Sequence, residues 1–144
     1  MPQFNPDKIN SLISELQRTI ERLGNISTIS KKSFLKDPDK IDSAKYNFIV
    51  GIESAIDICN HIISQNGFRA PKDYGDTFQV LFEHNIFDKE FLENLKDMAK
   101  FRNRLVHIYW NVDDDHVYEF LQDDVKDFRL FLNQIAKFLK LNTK

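Results

Sequence analysis

Cysteine is nearly missing from this chain. Cys59 stands alone among 144 residues, so no internal disulfide can form. It reads as a small apolar residue of a reducing compartment. Glycine and proline are equally scarce, at four each. That excludes a turn-rich all-β chain and favours long helices. Basic charge is not in excess either: 20 Lys and Arg face 22 Asp and Glu, for a formal net charge of −2. A general nucleic-acid binder is ordinarily basic, so any RNA contact must rest on a local patch. No apolar run approaches the length of a membrane span. The start, MPQFNPDKIN, lacks the basic region and apolar stretch of a secretory leader. A cytoplasmic protein is therefore expected. Neither a Gly-rich phosphate loop nor a nucleophile elbow occurs. The run Asp113, Asp114, Asp115, His116 has no second cluster to complete a metal site and suits an acidic first turn of a helix. No metal and no cofactor are expected. His61 and His84 stand alone in helical segments and read as structural.

What the chain does have is helical periodicity and phenylalanine, thirteen in all. Apolar residues make up 42% and charged residues 29%, an ordinary globular balance. The length suits one domain over residues 1–144. A first helix opens at Asn5 and Pro6, a cap followed by proline, and is expected to reach about Ser30. The segment KKSFLKDPDK breaks the pattern. Asp37 and Pro38 repeat the opening signal for a second helix, which stops near Gly67. A short third helix is expected around Tyr74 to His84. Asp88 caps a fourth that runs into FRNRLVHIYW, residues 101–110. The last runs from NVDDDHVY to about Leu139. Four long helices and one short one, with short connections, predict an all-α up-and-down bundle.

FRNRLVHIYW holds the densest concentration of chemistry-bearing side chains. At roughly 100° per residue, Met98, Phe101, Leu105 and Ile108 share one face, which is assigned to the core. Arg102, Asn103 and His107 fall on the other side, and Lys96 and Lys100 lie in line with Asn103 and His107, which makes a basic stripe of those four. Arg104 sits at its edge. Lysines at helical spacing ordinarily form a solvated face. Here, however, Val106, Leu95 and Leu92 make a second apolar strip beside the stripe, so this face is expected to be covered. A two-fold copy of the same helix would cover it, which predicts a homodimer through Val106, Leu95 and Leu92. Arginine pairs with phosphate oxygens, histidine moves protons near neutrality, and asparagine orients either. Together they suffice for RNA cleavage without metal. The 2′-hydroxyl attacks the adjoining phosphate and leaves a 2′,3′-cyclic phosphate, while arginine stabilises the developing charge.

RNRLVHIY also matches the Arg-x4-His-x-Tyr motif of the HEPN superfamily. The wider run, from DICNHIISQNGFRAPKDYGDTFQVL to FRNRLVHIYWNVDDDHVYEFLQ, resembles the HepT-like branch over roughly residues 40 to 135. The resemblance implies a HEPN-like helical bundle that dimerises, and an endoribonuclease toxin of a toxin–antitoxin pair. It implies Arg102 and His107 as catalytic residues with Asn103 in support. Lys96, Lys100 and Arg104 are then the candidate RNA contacts. It further implies a nucleotidyltransferase antitoxin as partner, attaching AMP from ATP to the motif tyrosine, Tyr109. A catalytically silent binding module serving such a nucleotidyltransferase is the alternative.

Overall fold

Each helix begins where a polar side chain closes its first turn. The computed structural model describes residues 2–141. α1 spans Pro6–Ser27, with Asn5 Oδ1 accepting from the amides of Asp7 and Lys8. α3 spans Pro38–Asn66; Asp37 accepts from Lys40 N, and Gly67 closes the helix at φ 66°, a left-handed conformation that glycine adopts without strain. α4 is Tyr74–Glu83, α5 is Lys89–His107 and α6 is Asp114–Leu139, capped by Asp73, Asp88 and Asp113 respectively.

Two short elements depart from the expectation. KKSFLKDPDK is not a plain break: Lys31–Leu35 forms α2, five residues capped by Ser30. Phe34 anchors it, fully buried, with its ring 5.4 Å from that of Tyr118. A 3-10 turn, Tyr109–Asn111, joins α5 to α6. α1 also stops at Ser27, short of Ser30. There the Ser27 and Thr28 hydroxyls donate to the carbonyls of Gly24 and Asn25, competing with continuation of the helix.

α1 packs along α3, and α6 closes over both, while α5 packs mainly on α4 and α3. Gly51 marks the tight crossing. A Cβ there would lie 2.8 Å from Thr19 Cγ2 and 3.1 Å from Phe128 Cζ. The phenylalanines fill this core. Phe101 of α5 stacks on Phe120 at 3.9 Å and meets Phe48 edge-on at 5.2 Å. These contacts fix the roll of α5 and hence the direction of its polar residues. Cys59 is fully buried, and burial pushes its thiol up. His61 Nε2 accepts from Asn5 N at 2.9 Å, and His84 stacks on Phe68. Both histidines thus serve the fold. Among the described residues no helix is long and apolar enough to cross a membrane.

Candidate functional site

The site is built on the last turns of α5 and held from α3. Phe101 and Leu105 are fully buried, as the helical pattern requires, and Met98 nearly so. Ile108 is not: it is 45% exposed, against its assignment to the core. α5 ends at His107, so the rotation that placed Ile108 inward does not continue. Val112 returns to the core instead.

Arg102 does not face away from the bundle. Its side chain is only 14% exposed, in the seam between α3, α4 and α5. Nη2 and Nε donate to Glu53 Oε1 at 2.8 and 3.2 Å, and Nη1 donates to Asn103 Oδ1 at 3.1 Å. The guanidinium lies over the Tyr74 ring, 4.7 Å from its centre. Among the described residues, one N–H on Nη1 and one on Nη2 remain unengaged. A hollow of about 220 Å³ opens here, lined by Glu53, Asp57, Asn60, Tyr74 and Arg102 among others. Burial, then the charge of Glu53, pushes the Asp57 carboxyl up, with Lys8 pulling the other way.

His107 is exposed at the last helical position and makes no hydrogen bond or ion pair among the described residues. It lies about 7.5 Å along the axis from Arg102. Arg104 and His107 occupy the final turn, where the helix dipole favours positive charge.

The basic residues divide between two grooves. Lys96, Lys100 and Asn103 line one of about 710 Å³ between α4 and α5, together with Lys72. Lys100 and Arg104 line the other, about 640 Å³, between α5 and α6. Its opposite wall carries Glu119, Asp123, Asp124 and Asp127, with Lys126 among them. Arg104 also rests against the Phe101 ring, 5.6 Å from its centre.

Leu92 and Leu95 are not surface residues available to a second copy. They are 2% and 1% exposed, because the chain's own α4 packs along this part of α5. The second apolar strip is covered, as expected, but mostly from within. Only Val106, at 42% exposure, stays outside, next to Ile108 and the almost bare Trp110.

Tyr109 is held at three points. Its hydroxyl donates to Asp42 Oδ1 at 2.9 Å, its carbonyl accepts from Lys45 Nζ at 3.1 Å, and the same Nζ lies 4.5 Å from the ring centre. Lys45 also pairs with Asp114 at 3.6 Å. Burial, then the bond to Asp42 and the charges of Asp42 and Asp114, push the phenol up to about 12. Asp113 caps α6 and Asp115 pairs with Lys31 at 3.1 Å, so the acidic run is committed to caps and ion pairs. Among the described residues no group of three or more His, Cys, Asp or Glu is gathered as a metal site. Glu53, Tyr74, Asp42 and Lys45 were not anticipated from the sequence.

The Ribonuclease HepT-like family pattern matches residues 16–135, most of the chain and all of this site. The chain belongs to the HepT-like ribonuclease family. The HepT-like chain is 31% identical over 129 residues to the mRNA nuclease HepT of Shewanella oneidensis, covering 90% of this chain and 96% of that protein. It is 24% identical over 141 residues to the tRNA nuclease HepT of Aphanizomenon flos-aquae, covering 96% of this chain and 95% of that one. Among solved structures, it superposes on the tri-AMPylated Shewanella oneidensis HEPN toxin in complex with MNT antitoxin, with a TM-score of 0.82 at 30% identity. That match covers 90% of this chain and 96% of the toxin. The all-helical HEPN fold and the ribonuclease family follow directly.

Proposed function

We propose that this HepT-like chain is the endoribonuclease toxin of a toxin–antitoxin pair and cuts RNA at Arg102, Asn103 and His107 without a metal. The observation that carries this reading is the state of Arg102. Glu53, Asn103 and Tyr74 hold its guanidinium in one orientation while two N–H groups stay unengaged among the described residues. A cation fixed before the substrate arrives is what stabilises charge growing on a phosphoryl group. Exposed His107 takes the 2′-hydroxyl proton, or returns one to the leaving 5′-oxygen. The product is a 2′,3′-cyclic phosphate. Asn103 acts on the arginine, since its Oδ1 accepts from Nη1. Lys96, Lys100 and Arg104 draw the RNA backbone along the two grooves that flank α5.

A second copy of the chain docks at the exposed apolar end of α5, through Val106, and brings two Arg102/His107 sets to one cleft. The partner is a nucleotidyltransferase antitoxin that moves AMP from ATP onto Tyr109. The Shewanella toxin, described as tri-AMPylated and in complex with MNT antitoxin, supports that part. An AMP group on Tyr109 breaks the bond to Asp42 and places negative charge and bulk two residues from His107, where an RNA phosphate must enter.

The test is expression without partner of the wild type, Arg102→Ala and His107→Ala. Growth arrest and RNA fragments ending in 2′,3′-cyclic phosphate are expected from the wild type alone, and cleavage should persist in a chelator. Equal toxicity of all three would refute the site. Absence of cleavage by purified wild type, with tight nucleotidyltransferase binding, would leave the silent binding module.

A further inference from the structure

The Tyr109 hydroxyl has a ready proton acceptor that the cleavage reaction does not use. Asp42, on the first turns of α3, is exposed, and its Oδ1 accepts the phenolic proton at 2.9 Å. Lys45 fixes the phenol from behind. Its side chain is 7% exposed and binds the Tyr109 carbonyl, the ring face and Asp114 at once. The Trp110 ring meets the Tyr109 ring edge-on at 5.4 Å. The ring therefore cannot swing away from Asp42 without breaking several contacts, while the oxygen pair itself lies where a second protein can reach it.

We propose that Asp42 is the general base for AMP transfer, taking the Tyr109 proton as that hydroxyl attacks the nucleotide. This rests on the reading of Tyr109 as the AMP acceptor. In the step, Tyr109 Oη bonds to the α-phosphorus of ATP. The bond from that phosphorus to the bridging oxygen of the β-phosphate breaks, and its electron pair leaves with pyrophosphate. The phenolic proton passes to Asp42 Oδ1 and later to water. The toxin thus supplies part of the chemistry of its own inactivation.

A base is needed because the phenol resists ionisation. With its pKa pushed up to about 12, only about one molecule in 10⁵ carries the phenolate at neutral pH. Among the described residues, the groups facing Tyr109 leave one candidate. Lys45 is a cation engaged by Asp114, Asp114 makes no bond to the hydroxyl, and His107 is unattached. A positioned base contributes about 10² to 10⁴-fold.

The test uses the full chain with an MNT-type nucleotidyltransferase, and ATP radiolabelled in the α-phosphate. Initial labelling rates are compared for wild type, Asp42→Asn and Tyr109→Phe across neutral to alkaline pH. The Asp42→Asn rate is expected to fall about 100-fold at neutral pH. The gap should close about tenfold per pH unit as free phenolate replaces the base. The wild-type/variant ratio cancels titration within the nucleotidyltransferase. A ratio near one overturns the base, as does a deficit constant with pH, which marks a purely positional role. Undiminished labelling of Tyr109→Phe, or none in wild type, overturns the acceptor reading itself. Circular dichroism melting of Asp42→Asn should overlay that of wild type, since Asp42 is exposed.

Discussion

Asp124→Asn should make the protein more stable than wild type at neutral pH, and the advantage should vanish in acid. Asp124 lies on α6 and is 6% exposed, and its Oδ2 meets no partner among the described residues. Burial first, then the charges of Asp127, Asp123 and Asp97, push its carboxyl up to about 8, with Lys126 opposing. An unfolded-chain aspartate titrates near 3.8. With the folded value above the unfolded one, ionisation favours the unfolded chain. The contribution of Asp124 is therefore intact below the unfolded value, declines as pH rises, and is fully lost above about pH 8. Between about pH 5 and pH 8 the change is about 3–4 kcal/mol, from 1.36 kcal/mol per unit. Asparagine keeps the shape and removes the ionisation, at about 1–3 kcal/mol for its unpaired amide. The variant is thus expected to be the weaker protein near pH 4.5 and the stronger above pH 7. Urea unfolding of both chains at a series of pH values reads this directly, because groups common to both cancel in the difference. A gap constant with pH, or wild type gaining on the variant as pH rises, would refute the reasoning. A neutral Asp124 also lightens the acidic wall facing Lys100 and Arg104.

Arg102→Lys should cut RNA cleavage by on the order of 100-fold, since an ammonium cannot hold Glu53 and Asn103 and still offer a planar pair of donors. The same variant should change urea stability by less than about 1 kcal/mol, because the Glu53 partner is 43% exposed; a larger loss would show that the pair is structural. Val106→Asp should shift the sedimentation of the purified chain from dimer to monomer, and identical sedimentation would remove the α5 end as the interface. Leu95→Ala should destabilise by about 2–5 kcal/mol, as a core cavity does, and a stability change near zero would contradict its burial under α4.

The local signals were legible. Asn5–Pro6, Asp37–Pro38, Asp88 and Gly67 act on the nearest turn, so each marked its helix end correctly. The helical repeat also found Met98, Phe101 and Leu105. It failed where the outcome depended on a neighbour. A helical wheel shows that the strip of Leu92 and Leu95 is covered; it cannot show whether α4 or a second chain covers it. Ile108 was misplaced because the wheel continued past the end of the helix. The partners of Arg102 and Tyr109 lie 49 and 67 residues away, and no periodicity within α5 encodes them.

A signal for those partners does exist on α3, once it is read as a face. Asp42 and Glu53 are 11 residues apart, within about 20° of the same direction. Arg102 and Tyr109 are 7 apart, the first on α5 and the second in the 3-10 turn just past its end. Asp42 meets Tyr109 and Glu53 meets Arg102, so α3 and α5 run antiparallel with two acids set against a cation and a phenol. The pairing has unequal effects. Glu53 holds a charge that cannot be removed, which orients Arg102 and leaves it cationic. Asp42 holds a proton that can be removed, which leaves Tyr109 neutral until a reaction draws on it. Under the proposed function, one helix face thus keeps the arginine permanently ready for cleavage and the tyrosine reactive only on demand. The two functions stay separate because the acids sit about three turns apart.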